Sequence, residues 1–297
     1  MTVMSTDSPL AAARGMTTTR RRRGFFRRLA RGKGAITGLI ILIVMVGIAV
    51  FAPLLAPDDP IQINPQHGLF SPGIPYLFGT DQLGRDILSR VLFGARLSLI
   101  VGLISVGIAA SIGIVVGLIA GYYGGWIENV LMRIIDVMLA FPGILLALAI
   151  VSVLGASLTN LMISVGVAAI PTYARLTRGS VLTTKENLYI DAARVIGVPD
   201  HRIIARHIMP NVVAPLIVAA TLGVGAAILS AAALSFLGLG SQPPTPEWGR
   251  MLSEGRRYLS SAWWISTFPG FAIMLTVLAI NMIGDGLRDT LDPRLRQ

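Results

Sequence analysis

The sequence predicts an all-α integral membrane protein with six transmembrane helices. Apolar residues make up 54% of the 297 residues, and charged residues make up 13%. Soluble domains carry roughly 25% charged residues, so this chain has too few polar side chains to cover a water-exposed globule. Mean hydropathy is +0.71. The uncharged stretches reach the roughly 20 residues that a helix needs to cross a bilayer.

The predicted spans follow these uncharged stretches. Ala35 to Ala56 exceeds the roughly 7–15 residues of a signal-peptide core, so we expect an uncleaved first span. Val137 to Ala174 lacks charge over a length too great for one crossing, which predicts two spans with a tight turn between them. Pro142 is expected to kink the first of these two. The spans are Ala35–Ala56, Leu97–Ala120, Val130–Val153, Leu158–Ala174, Val212–Gly240 and Ser266–Ile283.

The chain divides into five parts. A basic arm (1–34) and the first span (35–56) precede a polar loop (57–96); a core of five spans (97–288) and a tail (289–297) follow. Within the loop, apolar Ile87, Leu88, Val91 and Leu92 lie beside polar Arg85, Asp86, Ser89 and Arg90 at helical spacing. This pattern predicts an amphipathic helix that lies flat at the outer membrane interface.

The basic residues predict the orientation of the chain. Of the 25 Lys and Arg residues, 18 lie in the arm, the segment Arg175 to His207 and the tail, and six lie in the two other long loops. The positive-inside rule therefore places both termini and the central loop in the cytoplasm. Because the net charge of +10 is concentrated at span ends, we attribute it to topology and expect no nucleic-acid partner.

Two features inside the spans suggest packing. Gly113, Gly117 and Gly121 recur every four residues, which predicts a face that another helix approaches closely. Arg133 and Asp136 have the spacing of a helical ion pair near the cytoplasmic headgroups. A pair that braces the helix is favoured over a proton relay, although intramembrane charges are often functional.

The longest polar interruption after the arm runs from Lys185 to Asn211, and it has the pattern of two short helices. In the first, Leu188, Ala192 and Val195 share one face. Gly197 is a natural stop, and Pro199 restarts the chain. In the second, Ile204 and Ile208 mark a face until Pro210 ends the helix. The pattern fits either a plug for a partner's groove or an amphipathic loop on the membrane surface.

Patterns typical of enzymes are absent from the sequence. There is no GxxxxGKS or GxxxxGKT phosphate loop, no HExxH metal motif and no cysteine. The three histidines, His67, His201 and His207, are scattered, and His207 is interpreted as a hydrogen-bonding residue at a helix end. We therefore expect a chain that is not an enzyme and binds neither metal nor cofactor, with any ATP bound by another subunit.

The central segment resembles the EAA loop of ABC-transporter permeases. The similar positions are Asp191, Ala192, Ala193, Gly197, His207 and Pro210. Asp191 replaces the usual Glu and His207 the usual Ile, and both departures resemble the dipeptide, oligopeptide and nickel importers. GTDQLGRD before the second span, Tyr173–Gly179, Pro246–Gly249 and the closing GDGLRDTLDPRLR are similar to the C-type permease of those importers.

The resemblance implies a function and a set of partners. The chain would be a permease of a peptide importer in the bacterial plasma membrane, paired with a homologous B-type permease. Two cytoplasmic ATPases and an extracytoplasmic substrate-binding protein would complete the assembly. The EAA-like residues would contact an ATPase, and spans two to six would line half of the pathway through residues that the sequence does not identify.

Three alternatives stay open on the sequence. One is a nickel or other small-solute importer of the same family, against which the lack of His clusters counts. A lone secondary transporter would show buried ions at mid-membrane and would give the central segment no purpose. A membrane scaffold without transport activity is the third.

Overall fold

The computed structural model describes residues 32–291, in which the regular elements are helices and there is no β-strand. The prediction of an all-α membrane protein is confirmed. The basic run Arg20 to Arg23 and the end of the tail lie outside the described residues. The helices are α1 (Lys33–Leu55), α2 (Ile87–Tyr123), α3 (Gly125–Leu139), α4 (Gly143–Leu154), α5 (Leu158–Lys185), α6 (Leu188–Val195), α7 (Asp200–Phe236), α8 (Trp248–Gly255) and α9 (Trp264–Leu291).

Four of these helices, α1, α2, α7 and α9, are long and apolar enough to cross a membrane. The pair α3 and α4 would make a fifth span if it is counted as one, although its two axes meet at 89°. α5 has the length of a span but is more polar. The count of six therefore stays a prediction. The helix that contains the predicted sixth span, α9, continues through the polar GDGLRDTL residues to Leu291.

The predicted flat amphipathic helix is wrong. Ile87 to Leu92 is the first part of α2, which runs without a break to Tyr123. Asp86 caps this helix, because its side chain accepts a hydrogen bond from the Ser89 backbone N–H at 2.7 Å. The arginines that made the segment look amphipathic are buried in the protein rather than exposed, with Arg85 2% and Arg90 1% accessible.

The third predicted span is broken rather than kinked. α3 ends at Leu139 and α4 begins at Gly143, with Pro142 at the N-cap of α4, so the chain turns at the residue that cannot continue a helix. The predicted pair of Arg133 with Asp136 is also wrong. Asp136 instead accepts a hydrogen bond from Nη2 of Arg175 in α5 at 2.6 Å, and Arg133 is exposed.

α2 and α5 pack closely against each other. A Cβ atom at Gly117 would lie 2.5 Å from the Ala174 carbonyl oxygen, and one at Gly113 would lie 2.6 Å from the Tyr173 Cβ. No side chain fits between backbones at those distances. The predicted small-residue face of α2 is confirmed, and its partner is α5.

We call the end of the bundle at the start of α2 the Arg85 end, and the end that carries α6 the Gly197 end. At the Arg85 end, α1, α8, α9 and the start of α2 enclose an apolar core around Trp248. At the Gly197 end, a second core surrounds Ile190, Ile203 and Ile208. Since α2 spans both, it connects the two cores.

Candidate functional site

The candidate site is the α6 segment, residues 186–199, which connects α5 to α7. α6 ends in a Schellman motif: the Gly197 N–H donates to the Arg194 carbonyl at 2.9 Å, and the Val198 N–H donates to the Ala193 carbonyl at 3.0 Å. Gly197 has φ +78°, a left-handed conformation that glycine adopts without strain. The predicted stop at Gly197 is confirmed.

The second half of the prediction needs correction. Pro210 does not end a short helix, because α7 runs from Asp200 to Phe236 through a π-helical turn at Ile204–Ile208. Pro210 lies in the first turn after that π turn, where its missing N–H is tolerated. The α6 segment is therefore followed directly by a spanning helix, with no second short helix between them.

The two faces of α6 differ in burial. Ile190 and Ala193 are buried against the core at the Gly197 end. Leu188 and Val195, which are 85% and 87% exposed, lie with Ile196 on the other face. An exposed apolar patch rimmed by polar residues is typical of a protein–protein contact. The face predicted from Leu188, Ala192 and Val195 is real, and it points away from this chain.

The structure brings only some of the predicted EAA-like residues to one surface. Asp191, Ala192 and Gly197 are exposed on the α6 segment, and the Asp191 carboxylate lies 3.6 Å from Arg194 Nη1. Ala193 is buried, so it permits close packing within the chain instead of against a partner. Pro210 is exposed on α7.

His207 lies apart from them, in the π turn. Its Nδ1 is buried and has no hydrogen-bond partner within the described residues, and the predicted hydrogen-bonding role stays a prediction. A metal role gains no support from its surroundings, since residues 32–291 contain no group of three potential metal ligands.

Tyr122, which the sequence analysis missed, attaches the α6 segment to the bundle. The Tyr122 hydroxyl donates to the Asp200 carboxylate at 2.6 Å, and the Lys185 ammonium donates to the Tyr122 carbonyl at 2.6 Å. The Arg194 guanidinium lies over the Tyr122 ring, 5.4 Å from its centroid. A polar aromatic residue in the last turn of an apolar helix was the available signal, but its partners are distant in sequence.

The Arg85 end holds a buried ion cluster. Arg85 pairs with Asp81 through its Nε and donates from Nη2 to Glu254 Oε2 at 2.8 Å. Arg90 Nη2 reaches the same Glu254 oxygen at 3.3 Å, and Arg250 Nε lies 3.3 Å from Glu254 Oε1. One carboxylate thus holds three arginines from two parts of the chain. Buried charges persist only when they are paired in this way.

Glu247 is a further buried carboxylate in the loop before α8. It caps α8 by accepting hydrogen bonds from the backbone N–H groups of Gly249 and Arg250, at 2.8 and 2.9 Å. Loss of hydration raises the pKa of the Glu247 carboxyl, and these hydrogen bonds offset the rise only in part. Burial therefore disfavours the ionised carboxylate of Glu247, whereas the hydrogen bonds of the cap favour it.

A cavity of about 480 Å³ lies in the middle of the bundle between α2, α4, α5 and α7. Its wall is made largely of small residues, among them Ala168, Ala169, Ala226 and Ala227, with hydroxyls from Thr172 and Ser230. Tyr173 lines one side, and its ring fits because Gly223 has no side chain; a Cβ there would lie 2.2 Å from the Tyr173 hydroxyl oxygen. None of the lining residues carries a formal charge.

Comparison with known proteins identifies the family of this chain. Residues 113–297, more than half of the chain, match the family described as "Binding-protein-dependent transport system inner membrane component". The chain belongs to this family. Residues 21–72 match a second family, the "N-terminal TM domain of oligopeptide transport permease C". The resemblance inferred from the EAA-like residues is thereby confirmed.

Relatives match this permease over most of its length. The dipeptide transport system permease protein DppC of Alkalihalophilus pseudofirmus is 53% identical, over 91% of this chain and 89% of the relative. The di/tripeptide transport system permease protein DppC of Pseudomonas aeruginosa is 48% identical, over 92% of each chain. The glutathione transport system permease protein GsiD of Escherichia coli is 49% identical, over 92% of this chain and 90% of the relative.

Among solved structures, an inward-facing MetNI methionine ABC transporter has the same fold. Its TM-score is 0.56 at 19% identity, and the match covers 69% of this chain and 97% of that chain. Family membership makes the present permease a multi-pass membrane component of an ABC transporter, and a transport component rather than an enzyme. Such permeases act with ATPase and substrate-binding partners.

Proposed function

We propose that this permease is a subunit of an ATP-driven importer of di- and oligopeptides in the bacterial plasma membrane. The observation that carries the proposal is identity of 48–53% with permeases named for dipeptides and di/tripeptides, over about nine-tenths of the chain. The uncharged cavity supports it, because a wall without formal charges suits solutes whose side chains vary. Ligands for nickel are absent from the residues that line it.

The assembly follows the family. This permease pairs with a homologous B-type permease, two cytoplasmic ATPases bind the ATP, and an extracytoplasmic protein delivers the substrate. No ATP is bound by this chain. The Gly197 end faces the cytoplasm with both termini, which agrees with the distribution of Lys and Arg residues.

The α6 segment is the docking site for an ATPase. Leu188, Val195 and Ile196 offer an apolar surface that this chain leaves uncovered, and burying it against a partner releases water from it. Asp191 and Arg194 at its rim offer charges of both signs. The exposed apolar patch favours a protein groove over the alternative of a loop that rests on the lipid, because Asp191 and Gly197 are exposed beside it.

The cavity is this permease's share of the pathway. It lies at the centre of the bundle and is bounded by α2, α4, α5 and α7. α4, which follows the break after α3, forms one wall, since Gly143, Ile144 and Ala147 line the cavity. In the proposed heterodimer, each of the two homologous permeases contributes half of the pathway.

The docking proposal is tested with Gly197→Asp. Gly197 has open space around it, so the variant adds strain at φ +78° and a charge beside the patch without a clash inside the chain. We expect tagged wild-type protein, purified in mild detergent, to recover a second permease and the ATPases, and the variant to lose the ATPases together with peptide uptake.

Gly155→Asp is the matched control. Gly155 also has positive φ, at +88°, and open space, but it precedes α5 whereas the α6 segment follows α5. Asp at this position adds the same charge at the far end of that helix, and the strain is at least as large, because Gly155 (φ +88°, ψ 155°) lies in a region that only glycine adopts readily. Retention of the ATPases by both variants would show that the α6 segment does not dock them. Recovery of the wild-type chain without ATPases would count against the importer itself.

A further inference from the structure

Tyr122 contacts three separate parts of the Gly197 end from one position. It lies in the last turn of α2 and is 4% exposed. Its hydroxyl meets Asp200 at the start of α7, its carbonyl meets Lys185 at the end of α5, and its ring meets Arg194 of α6. Every helix that joins or forms the α6 segment therefore contacts this one residue.

Each contact is of a strong type. The hydroxyl donates to an ionised carboxylate at 2.6 Å, and hydrogen bonds to charged groups are roughly twice as strong as neutral ones. The Lys185 ammonium donates a hydrogen bond to the Tyr122 carbonyl. This carbonyl has no partner within α2, because the last four carbonyls of a helix lack one, and a positive charge is favourable at that end. The Arg194 guanidinium over the ring adds a cation–π contact.

The helices next to Tyr122 are closely packed. A Cβ at Gly121 would lie 2.8 Å from the Val181 Cβ and 3.2 Å from the Arg178 carbonyl oxygen, so α2 and α5 leave no room for a side chain there. α6 has no such packing, because its own core contacts come mainly from Ile190 and Ala193. Tyr122 thus links the short α6 segment to the closely packed pair of helices α2 and α5.

We propose that Tyr122 is the positioning residue that makes the α6 segment and the spans move as one. Displacement of α6 by a docked ATPase pulls on Tyr122 of α2 through Arg194 and through Asp200, which follows the α6 segment at the start of α7. The hydrogen bond between Lys185 and Tyr122 passes the displacement to α5. When this attachment is cut, the ATPase still docks and hydrolyses ATP, but the spans do not follow. The proposal rests on the proposed docking of an ATPase at α6.

The test is the number of ATP molecules hydrolysed per peptide taken up by the reconstituted complex. Tyr122→Phe removes only the hydroxyl and keeps the ring. A coupling free energy of about 1–3 kcal/mol corresponds to at least a roughly fivefold change, so we expect this ratio to rise by about fivefold or more. ATP hydrolysis itself stays within about twofold of the wild-type rate, which a folding defect would not allow.

Tyr123→Phe is the matched control, because Tyr123 is the neighbouring tyrosine and is 51% exposed, and its ring, which packs edge-on against Tyr122, is kept by Phe. We expect its ratio to equal that of the wild type. Asp200→Asn removes the charge from the other side of the bond at an exposed position but keeps a neutral acceptor, so it should raise the ratio in the same direction as Tyr122→Phe and by less. The double variant should be no worse than Tyr122→Phe alone. If the Tyr122→Phe protein does not accumulate in the membrane, the ATP-to-peptide ratio of Asp200→Asn tests the proposal instead.

Amide hydrogen exchange supplies a readout that does not need transport. We expect the amides of residues 188–196 to exchange faster in Tyr122→Phe than in Tyr123→Phe, in the purified permease alone. Equal exchange in the two variants, or an unchanged ATP-to-peptide ratio in both Tyr122→Phe and Asp200→Asn, overturns the proposal. If the wild-type complex imports no peptide but Tyr122→Phe and Tyr123→Phe still differ in exchange, the proposed function is overturned. The role of Tyr122 in holding the α6 segment is then kept.

Discussion

The two ends of the bundle hold charged residues in opposite ways. At the Arg85 end, Arg85 and Arg90 are buried, and both share Glu254 with Arg250. At the Gly197 end, the Asp191–Arg194 pair is exposed, and its atoms are 3.6 Å apart. The first arrangement has one low-energy geometry, because every buried charge needs its partner. The second can be rearranged at little cost, because water replaces each contact.

The difference indicates which end is fixed and which end adapts. Removing one member of a buried ion pair costs about 3–5 kcal/mol, whereas exposed pairs contribute about 0–1 kcal/mol. The buried ion cluster therefore fixes the structure at the Arg85 end. The exposed charges at the Gly197 end can change their contacts when a partner binds. Single substitutions can break or sharpen this contrast.

The largest effect is expected from Glu254→Ala. It leaves the buried guanidinium groups of Arg85 and Arg90 with Asp81 as their remaining carboxylate, which should lower the free energy of unfolding by about 3–5 kcal/mol. Asp191→Ala is the control at the other end and should change it by less than about 0.5 kcal/mol. Unfolding in mixed micelles measures both. Equal losses in the two variants would remove the contrast between the ends.

A smaller effect is expected in the middle of α2, where the two ends are connected. Gly117→Ala places a methyl group 2.5 Å from the Ala174 carbonyl oxygen, and overpacking of this kind costs about 1–3 kcal/mol. Gly107→Ala is the matched control, because the same helix has open space there. It should be neutral or stabilising by up to about 1 kcal/mol. Thermal unfolding compares the pair, and a loss in Gly107→Ala as large as in Gly117→Ala would contradict close packing as the cause.

The smallest effect concerns pH at the Arg85 end. Because burial raises the pKa of Glu247 in the folded protein, its contribution to stability is fully present below its unfolded pKa, near 4.5, and is lost as pH rises through the folded value. Glu247→Gln does not titrate. The melting temperature of the wild type minus that of Glu247→Gln should therefore fall as pH rises from acid to neutral. A difference that stays constant with pH would show that the Glu247 pKa is not raised.

Features that depend on neighbouring residues could be predicted from the sequence. Uncharged stretches located the spanning helices, and the residues around Gly197 located the end of α6, because burial in lipid and helix capping are local effects. The apolar face of Leu188 and Val195 followed from helical spacing alone.

Features made by distant residues could not be predicted. Glu254 lies 169 positions from Arg85, and Asp200 lies 78 positions from Tyr122. Without those partners in view, Arg85 and Arg90 had the pattern of a surface helix, and Asp136 was assigned to its nearest basic neighbour. Pro210 was misjudged for the opposite reason, since a local rule about proline was outweighed by a π turn that lets α7 continue.

The length of α2 exceeds the thickness of a membrane. Its 37 residues, at about 1.5 Å each, extend over about 55 Å, whereas the hydrocarbon core of a bilayer is about 30 Å thick. Upright or tilted, the helix therefore reaches the headgroup layer on both sides. A thinner or thicker bilayer changes the tilt of such a helix, and with it the height of Tyr122 above the lipid. The lipid composition of the membrane thus helps to set the height of the α6 segment, the docking site proposed for an ATPase.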